Sequence, residues 1–259
     1  MVCPNLTVAI IARDEEALIA AALASARPLT AELLLVLDPR TTDRTALIAA
    51  EHGARVDQHI FRSFGAQRNH ALTICRTPWI LFLDADERIS PELQTELAMA
   101  LQQSGSYHGY WVPRRNRYWH HWLRGGGWYP DYQLRLLQRD HAHYSPDRLV
   151  HEFAELDGAV GYLHEHLLHW NINSWAELRS KQRHYALAEA QTLYRAGVRA
   201  SRRNLLLQPL REVKRRFWTW HGYRDRGLGL FLALVMGYYE WVKYVHLAGL
   251  AEAMSERHG

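Results

Sequence analysis

A fully apolar run that leads directly into acidic residues is the strongest constraint on the fold of this chain. Residues 79–87 read Trp-Ile-Leu-Phe-Leu-Asp-Ala-Asp-Glu, so the run ends at Asp84, Asp86 and Glu87. Continuous apolar runs of this length are typical of parallel strands that are buried on both faces. Such sheets bind ligands beyond the carboxyl ends of their strands. The run therefore predicts a buried strand with a ligand site at its end, and a solvated acidic turn is the simpler alternative.

Strand and helix patterns alternate through the first part of the chain. Strands are predicted at 6–11, 33–37, 54–56 and 79–83, and helices at 15–26, 42–52 and 65–75. Alternating units of this length are typical of parallel strands joined by right-handed crossovers. We therefore predict an α/β fold with a doubly wound, mostly parallel sheet.

The amino-acid composition of the sequence changes after the first hundred residues. Short strands are predicted at 109–112, 133–138 and 160–163, within a stretch rich in aromatic residues, histidine and glycine. Helices are predicted at 174–196, at about 204–221 and at 227–250. The chain therefore divides into a domain at 1–170, with halves at 1–103 and 104–170, and a helical extension at 171–259.

Charge and cysteine content limit the classes of partner and compartment. Lys and Arg number 31 against 27 Asp and Glu, a net charge of +4 that is too small to predict nucleic-acid binding by itself. Basic residues concentrate at 195–226, which suits an anionic surface or a solvated helix face equally well. Cys3 and Cys75 are the only cysteines, so neither a disulfide framework nor a cysteine zinc site is expected. A reducing, cytoplasmic compartment follows.

The C-terminal part is apolar but does not have the pattern of a membrane-spanning helix. The apolar run at 227–239 is followed by Glu240 and Lys243. A span needs about 20 apolar residues, so this run is too short. We expect the helices to dock on a membrane without crossing it, through Arg211, Lys214, Arg215 and Arg216 and the aromatic residues that follow them.

Three predicted strands end in polar loops, which begin at Arg13, Asp38 and Asp84. The carboxyl ends of parallel strands meet at one edge, so these loops should share a crevice. The sequence contains neither G-x-G-x-x-G nor G-x-x-x-x-G-K, the loops that cradle phosphates through backbone amides. A nucleotide bound here would therefore need a divalent cation, which the pair Asp84 and Asp86 could help to hold.

The order of these segments resembles that of glycosyltransferase family 2. The segments are Ala12-Arg13-Asp14-Glu15-Glu16, residues 38–45, Gln67-Arg68-Asn69 and Asp84-Ala85-Asp86-Glu87. Further segments look like the subgroup of lipopolysaccharide-core glucosyltransferases: 126–136, 150–152, 168–169, Lys181 with Tyr185, and 222–225. The resemblance implies a GT-A fold, in which 1–103 binds the nucleotide sugar and 104–170 holds the acceptor.

The resemblance also implies roles for individual residues. Donor-binding residues would be Ala12, Glu15, Asp38, Arg68 and Asp84. Asp38 would hydrogen-bond the uracil base, and Arg68 would lie near the base or the diphosphate.

The remaining implied roles concern the cation and the acceptor. Asp86 would ligate Mg²⁺ or Mn²⁺, with His151 as a further ligand and His169 as the alternative. Asp131 would be the catalytic base, because inverting transfer needs one carboxylate to deprotonate the acceptor hydroxyl. Glu152 would contact the acceptor.

The expected activity is inverting, metal-dependent transfer of a hexose from UDP-glucose or a similar UDP-sugar. The expected acceptor is a lipid-linked saccharide or a saccharide of lipopolysaccharide or the cell envelope, at the cytoplasmic face of an anionic membrane. No nucleic-acid partner is expected. The alternative is a non-catalytic or nucleic-acid-binding protein on the same fold, which would not need Asp131 beside Asp84 and Asp86. A zinc hydrolase built on His164, His166 and His169 is disfavoured because the segment is not H-E-x-x-H.

Overall fold

The computed structural model describes residues 2–102, 107–145 and 154–255. The chain forms two compact units. The first comprises Met1–Arg114 and Tyr132–Trp170, and the second comprises Arg115–Asp131 and Asn171–Gly259. The functional division at residue 170 remains a prediction.

The first unit opens with the alternating strands and helices that the sequence predicts. They are β1 (Cys3–Ala12), α1 (Ile19–Ala26), β2 (Thr30–Leu37), α2 (Thr45–Glu51), β3 (Arg55–Gln58), α3 (Phe64–Ile74) and β4 (Trp79–Leu83). The order across the sheet is β3-β2-β1-β4, and all three pairings are parallel. Because β1 lies centrally, its carboxyl end has the ends of β2 and β4 on either side.

The apolar strands bury side chains on both faces of this sheet, as their continuous apolar runs predict. Val8 and Ile10 belong to one buried cluster, and the intervening Ala9 belongs to another. In β4 the residues likewise alternate, with Leu81 in the first cluster and Phe82 in the second. A strand places successive side chains on opposite faces, so the two clusters cover the two sides of the sheet.

The rest of the first unit adds mostly short strands. They are β5 (Glu87–Ile89), β6 (Gly109–Tyr118), β8 (Asp131–Gln138), β9 (Ala142–Tyr144), β10 (Ala154–Leu156), β11 (Val160–Tyr162) and β12 (Leu167–Ile172), with helix α4 (Pro91–Gln102) after β5. The sheet continues from β4 in the order β8-β6-β12-β5. Strand β8 is antiparallel to β4, and β12 is antiparallel to β5.

Strand β6 and strand β12 differ from the sequence prediction. The prediction ended at residue 112, whereas β6 continues through Pro113 to Tyr118. Proline has no amide donor and therefore indicates a strand end in a sequence, which is why the prediction was too short. Strand β12 was not predicted, because its residues are polar and aromatic rather than continuously apolar.

The second unit is mainly helical. It contains the short strand β7 (His121–Trp122), α5 (Trp175–Arg195), α6 (Arg202–Lys214) and α7 (Arg226–Ser255). Its core includes Tyr118, Leu123, Ile172, Leu178 and Leu232. None of the helices in the described ranges has the length and apolar content that a bilayer span requires.

The basic residues near the end of α6 differ in their exposure and in their partners. The α-helix ends at Lys214 and is followed by a π-helical turn at Arg215–Thr219. Arg215 and Arg216 both pair with the buried carboxylate of Glu212, and the Arg216 side chain is only 14% exposed. Of the four basic residues predicted to dock on a membrane, Arg211, Lys214 and Arg215 are exposed, whereas Arg216 is largely buried beside Glu212.

Asp225 organises the loops of the second unit. Its side chain is buried and accepts hydrogen bonds from the backbone amides of Arg124, at 3.0 Å, and Gly125, at 3.1 Å. The Nε2 atom of His121 lies 2.9 Å from its Oδ1 atom. Buried backbone amides that lack an acceptor destabilise the folded state. A charged carboxylate that accepts hydrogen bonds from several of them therefore stabilises these loops.

We predict that Asp225→Ala lowers the free energy of unfolding by about 3 kcal/mol, because it leaves buried backbone donors without an acceptor. Urea unfolding measures the change. Asp140→Ala is the control, since that carboxylate is 69% exposed and its ion pair should contribute less than about 1 kcal/mol. Equal effects of the two substitutions would contradict the role of Asp225.

Candidate active site at the strand ends

The predicted loops converge at the carboxyl ends of β1, β2 and β4. Ala12 pairs with Leu37, and Ile10 pairs with Leu83, so Arg13, Asp38 and Asp84 begin adjacent loops. The amide of Asp38 donates to the Ala12 carbonyl at 3.1 Å. The strand register thus brings together the segments that the sequence singled out.

The loops after β1 and β2 are tied to each other by acid–amide hydrogen bonds. Asp14 Oδ1 accepts from the Thr42 amide at 2.8 Å, and Asp43 Oδ2 accepts from the Glu16 amide at 2.9 Å. Asp14 has a φ of 52°, in the left-handed region that aspartate tolerates better than most residues. The two loops therefore form one linked rim beside the strand ends.

Asp38 is buried at this rim and is paired with Arg40. The Arg40 guanidinium donates to both carboxylate oxygens, with Nε at 3.0 Å from Oδ1 and Nη2 at 2.6 Å from Oδ2. These hydrogen bonds lower the pKa of Asp38 to about 2. Asp38 is therefore a charged acceptor at neutral pH, and Arg40 occupies both of its carboxylate oxygens.

Asp84 is the first carboxylate after β4, and it forms a two-pronged ion pair with Arg135 of β8. The Nη1 atom of Arg135 lies 3.1 Å from Oδ1, and its Nη2 atom contacts Oδ2. Burial alone would raise the pKa of Asp84, but Arg135 and Arg68 outweigh burial and hold that pKa well below its ordinary value. Asp84 is accordingly a fixed anion whose charge is matched within the protein.

Glu87 extends this ion pair into a buried network. Its side chain is fully buried, and its Oε1 atom accepts from Arg135 at 3.1 Å and from Arg114 at 3.3 Å. Its other carboxylate oxygen accepts from the Asp84 amide at 3.0 Å. Burial alone would lower the pKa of Arg135, yet Asp84 and Glu87 raise it above its ordinary value. The turn after β4 is thus held by charge as well as by backbone bonds.

Arg68 lies on the other side of Asp84. Its Nη2 atom is 3.8 Å from Asp84 Oδ1, and the guanidinium packs against the rings of Phe82 and Tyr144. Helix α3 is anchored to the same tyrosine, because Asn69 exchanges two hydrogen bonds with its backbone, at 2.7 and 2.8 Å. The predicted donor-binding arginine is therefore next to the predicted acid.

Asp86 has surroundings different from those of Asp84. Its carboxylate is a third exposed, and its Oδ2 atom lies 3.1 Å from Nε2 of His169. His169 is buried on β12, in register with Glu87 of β5. The Asp86 carbonyl accepts from the Trp170 amide at 3.0 Å, which fixes the turn against β12.

The pair Asp86 and His169 fits a divalent cation that retains other ligands. Carboxylate oxygen and imidazole nitrogen suit Mn²⁺, and Mg²⁺ is commonly held by one or two carboxylates with water and phosphate. No cluster of three His, Cys, Asp or Glu suitable for a metal occurs within the described residues. A cation held here would therefore take its remaining ligands from water and from a bound phosphate group.

The pKa of Glu15 reflects its burial and the negative charges of neighbouring carboxylates at this edge of the sheet. Burial raises the pKa of its carboxyl, and Asp86, Asp43 and Asp84 raise it further. The contribution of the neighbouring acids shows that carboxylates repel one another at this edge, and a bound cation would reduce that repulsion.

Asp131 belongs to the second unit, at the start of β8. The Nδ2 atom of Asn116 lies 3.3 Å from its Oδ2 atom and also donates to the Trp128 carbonyl at 2.8 Å. Asn116 is 2% exposed, so its amide is held in a fixed orientation. Asp131 is therefore a carboxylate positioned by a buried amide.

Other predicted residues fall outside this site or outside the described ranges. His151 and Glu152 lie outside the described residues. His164 and His166 precede β12, and each contacts a carboxylate, Glu96 and Glu165 respectively. Neither histidine lies on a strand.

The sequence analysis did not assign roles to Arg135, Arg114 and Glu87. Arg135 lies 51 positions from its partner Asp84, and a pairing over that distance leaves no periodic signal. His169 was recognised only as an alternative ligand, and the register between β12 and β5 brings it beside the acids. An arginine among the leucines at 134–137 was the available signal for Arg135, since a buried charge needs a partner.

Comparison with known proteins identifies the class of this chain. The profile of "Glycosyl transferase family 2" matches residues 7–153. The chain therefore belongs to glycosyltransferase family 2, as the resemblance implied.

Similar proteins cover different parts of the chain. A Rickettsia bellii protein called "Uncharacterized glycosyltransferase" is 37% identical over 105 residues, covering 40% of this chain and 35% of its own length. A TPR repeat-containing protein of Synechococcus elongatus is 30% identical over 202 residues, covering 78% and 47%. The lipopolysaccharide core biosynthesis glycosyltransferase LpsC of Rhizobium meliloti is 29% identical over 187 residues, covering 68% and 67%. The chain thus spans less than half of the first two proteins.

The GT-A fold is also found in a solved structure similar over nearly the full chain. Residues 1–349 of S. aureus TarS, in complex with UDP-GlcNAc, superpose with a TM-score of 0.51 and 13% identity. The superposition covers 97% of this chain and 92% of that one. At this identity the likeness shows the fold.

We predict that Arg135→Leu lowers the free energy of unfolding by about 3–5 kcal/mol, because Asp84 and Glu87 lose their buried partner. Urea unfolding measures it, with Arg139→Leu as the control, since Arg139 pairs with an exposed acid. A depressed carboxyl pKa contributes stability that is complete above the unfolded-state pKa and is lost as pH falls. The acid-side loss of stability should therefore be shallower in Arg135→Leu, and an unchanged slope would contradict the ion pair.

Proposed function

We propose that this protein is an inverting, metal-dependent transferase that moves a hexose from a UDP-sugar, such as UDP-glucose, to a saccharide acceptor. The observation that carries the proposal is the contrast between two acids at the end of β4. The two side chains are similarly exposed, at 38% and 33%, but Asp84 is paired with the cationic Arg135 whereas Asp86 contacts His169. One acid thus stabilises the turn, and the other is available for a cation.

The donor would bind along the linked rim of the first unit. In this proposal Asp38 accepts from the uracil base, which requires Arg40 to share or release its hydrogen bonds. Ala12 and Glu15 would line the same pocket. Arg68 lies beside Asp84, so its guanidinium can meet the diphosphate or the base.

Asp86 and His169 would hold Mg²⁺ or Mn²⁺, and His151 is a further candidate ligand. A bound divalent cation supplies Lewis-acid stabilisation of the leaving diphosphate. Asp84 would support cation binding indirectly, because its ion pair with Arg135 holds in place the turn that carries Asp86. Its remaining lone pairs would face the ribose.

Asp131 would act as the catalytic base. It would accept the proton of the acceptor hydroxyl while the hydroxyl oxygen attacks the anomeric carbon and the bond to the diphosphate breaks. One displacement of this kind inverts the anomeric configuration and needs no covalent enzyme intermediate. Asn116 would orient the carboxylate, and Glu152 would contact the acceptor.

The proposed acceptor is a lipid-linked saccharide or a saccharide of lipopolysaccharide or the cell envelope. The similarity to LpsC, which is described as a lipopolysaccharide core biosynthesis glycosyltransferase, supports this class. We further propose that the protein works as a peripheral protein at an anionic membrane surface, on the cytoplasmic side. Nucleic acid is not a proposed partner.

We predict that UDP binding depends on Mn²⁺ and on Asp86. Calorimetric titration with UDP should show tight binding with Mn²⁺, and at least tenfold weaker binding after EDTA treatment or in Asp86→Ala, because one protein ligand is lost. Asp140→Ala is the matched control, since Asp140 pairs with Arg139 just after β8, whose Gln138 is in register with Trp79 at the other end of β4. Equal UDP affinity with and without metal would remove the cation from the proposal.

We predict that Asp131→Asn lowers the rate of transfer by roughly 10²–10⁴-fold, the scale of general-base catalysis, while UDP affinity stays unchanged. The amide retains the shape of the carboxylate but cannot accept the proton. Product formation measured by mass spectrometry, beside calorimetry with UDP, separates the two effects. Near-normal turnover in Asp131→Asn would assign the base elsewhere, with Glu152 as the next candidate.

A further inference from the structure

Helix α7 has an exposed apolar face. The exposed large residues on it are Leu230, Phe231, Leu234, Tyr238, Trp241 and Val245, which are 41–57% exposed. Successive positions at 230, 234, 238, 241 and 245 are three or four residues apart, so they form one stripe along the helix. The stripe is about 22 Å long at 1.5 Å per residue. Contiguous exposed apolar surface of this extent usually marks a binding surface.

This stripe borders a groove between α5 and α7. The groove has a volume of about 1280 Å³, and its α7 wall includes Phe231, Leu234 and Tyr238. The α5 wall contributes the cationic side chains Arg179 and Arg183. The groove therefore combines an apolar wall with a positively charged wall.

The charge on the α5 wall is not compensated within the described part of the chain. Neither Arg179 nor Arg183 forms an ion pair with a carboxylate in the described ranges, whereas the nearby Lys243 pairs with both Glu189 and Glu240. The phenol of Tyr239 donates to the Arg179 carbonyl at 3.3 Å, which ties the two helices together. Two exposed cations beside an apolar wall match a ligand with a negative head and a hydrocarbon chain.

We propose that this groove binds an anionic phospholipid of a membrane surface, with its phosphate at Arg179 and Arg183 and its chain along α7. Interfacial helices bury an apolar face at the headgroup boundary, where tyrosine and tryptophan are favoured. Basic residues at this depth attract anionic lipid. The inference deepens the proposed membrane partner and rests on that part of the proposed function, but not on the catalytic roles. It assigns docking to α5 and α7 rather than to the basic segment of α6.

A second copy of the chain fits this groove less well. A twofold symmetric dimer brings the same patch against itself. The arginine pairs of both copies would then lie within one apolar interface, and like charges in such an interface repel each other.

The test is sedimentation with vesicles of phosphatidylcholine alone and with added phosphatidylglycerol. The protein should pellet with the anionic vesicles and not with the neutral ones, and added salt should weaken this binding. Arg179→Gln with Arg183→Gln should lower the affinity roughly 30-fold, since each well-placed cation contributes about fivefold. Arg76→Gln, an exposed arginine of the first unit, is the control.

A second pair of variants tests the apolar wall. Leu234→Gln should lower vesicle affinity at least fivefold, whereas Leu206→Gln, which changes an exposed leucine of α6, should not. Both positions are exposed, so both variants should keep the wild-type unfolding midpoint. Equal loss in the two variants, or no loss in either, would overturn the assignment to the groove.

Other outcomes separate this inference from the rest of the proposed function. Absence of binding to anionic vesicles, or equal binding to neutral ones, would overturn the inference. A dimer in solution that Leu234→Gln converts to monomer would overturn it as well, because the occupant would be a second copy. UDP titration of Leu234→Gln distinguishes the two proposals, since Mn²⁺-dependent UDP affinity should be unchanged whichever way the vesicle experiment comes out.

Discussion

The buried ion network formed by Asp84, Arg135, Glu87 and Arg114 is the interaction on which the candidate site depends. It links the turn after β4 to the neighbouring antiparallel strand β8, and it buries a glutamate that would be unstable without partners. Because both carboxylates of the turn are held by arginines, the backbone between them has one arrangement. In that arrangement Asp86 lies 3.1 Å from Nε2 of His169.

The same network explains how several acids can share one edge of a sheet. The carboxylates of Asp86, Asp43 and Asp84 lie close enough to Glu15 to raise its pKa, in addition to the larger effect of burial. Arg135 and Arg68 compensate Asp84, and backbone amides hold Asp43, so the uncompensated part of the charge lies near Asp86. A bound cation would compensate this remaining negative charge and would also hold a diphosphate. A nucleotide sugar can therefore be proposed as the ligand of a site that lacks a glycine-rich phosphate loop.

Local sequence patterns predicted the parallel strands of the fold well. They did not predict which residues far apart in the sequence pair with each other. Strand β4 has the bounds predicted from its apolar run, because burial on both faces leaves no polar residue inside it. Helix α1 was predicted from residue 15 but begins at Ile19, since the preceding amides bond to Thr45 and Asp43 instead of starting the helix. The acids at the strand ends were predicted from their position directly after apolar runs. The ion pairs of Arg135 and the register of His169 became visible only in the folded sheet. The contacts of Arg215 and Arg216 with the buried Glu212 were likewise not predicted from the sequence.

The central claim is that Asp86 and His169 together hold the divalent cation of a bound nucleotide sugar. Pulsed electron paramagnetic resonance of Mn²⁺ bound to the protein with UDP reports directly on nitrogen and phosphorus nuclei that touch the ion. We predict coupling to UDP phosphorus and to the nitrogen of His169. In His169→Gln the nitrogen coupling from that residue should be lost, so the nitrogen signal weakens or disappears, while the phosphorus coupling remains. A nitrogen coupling that persists unchanged in His169→Gln, or its absence from the wild-type complex, would contradict the account.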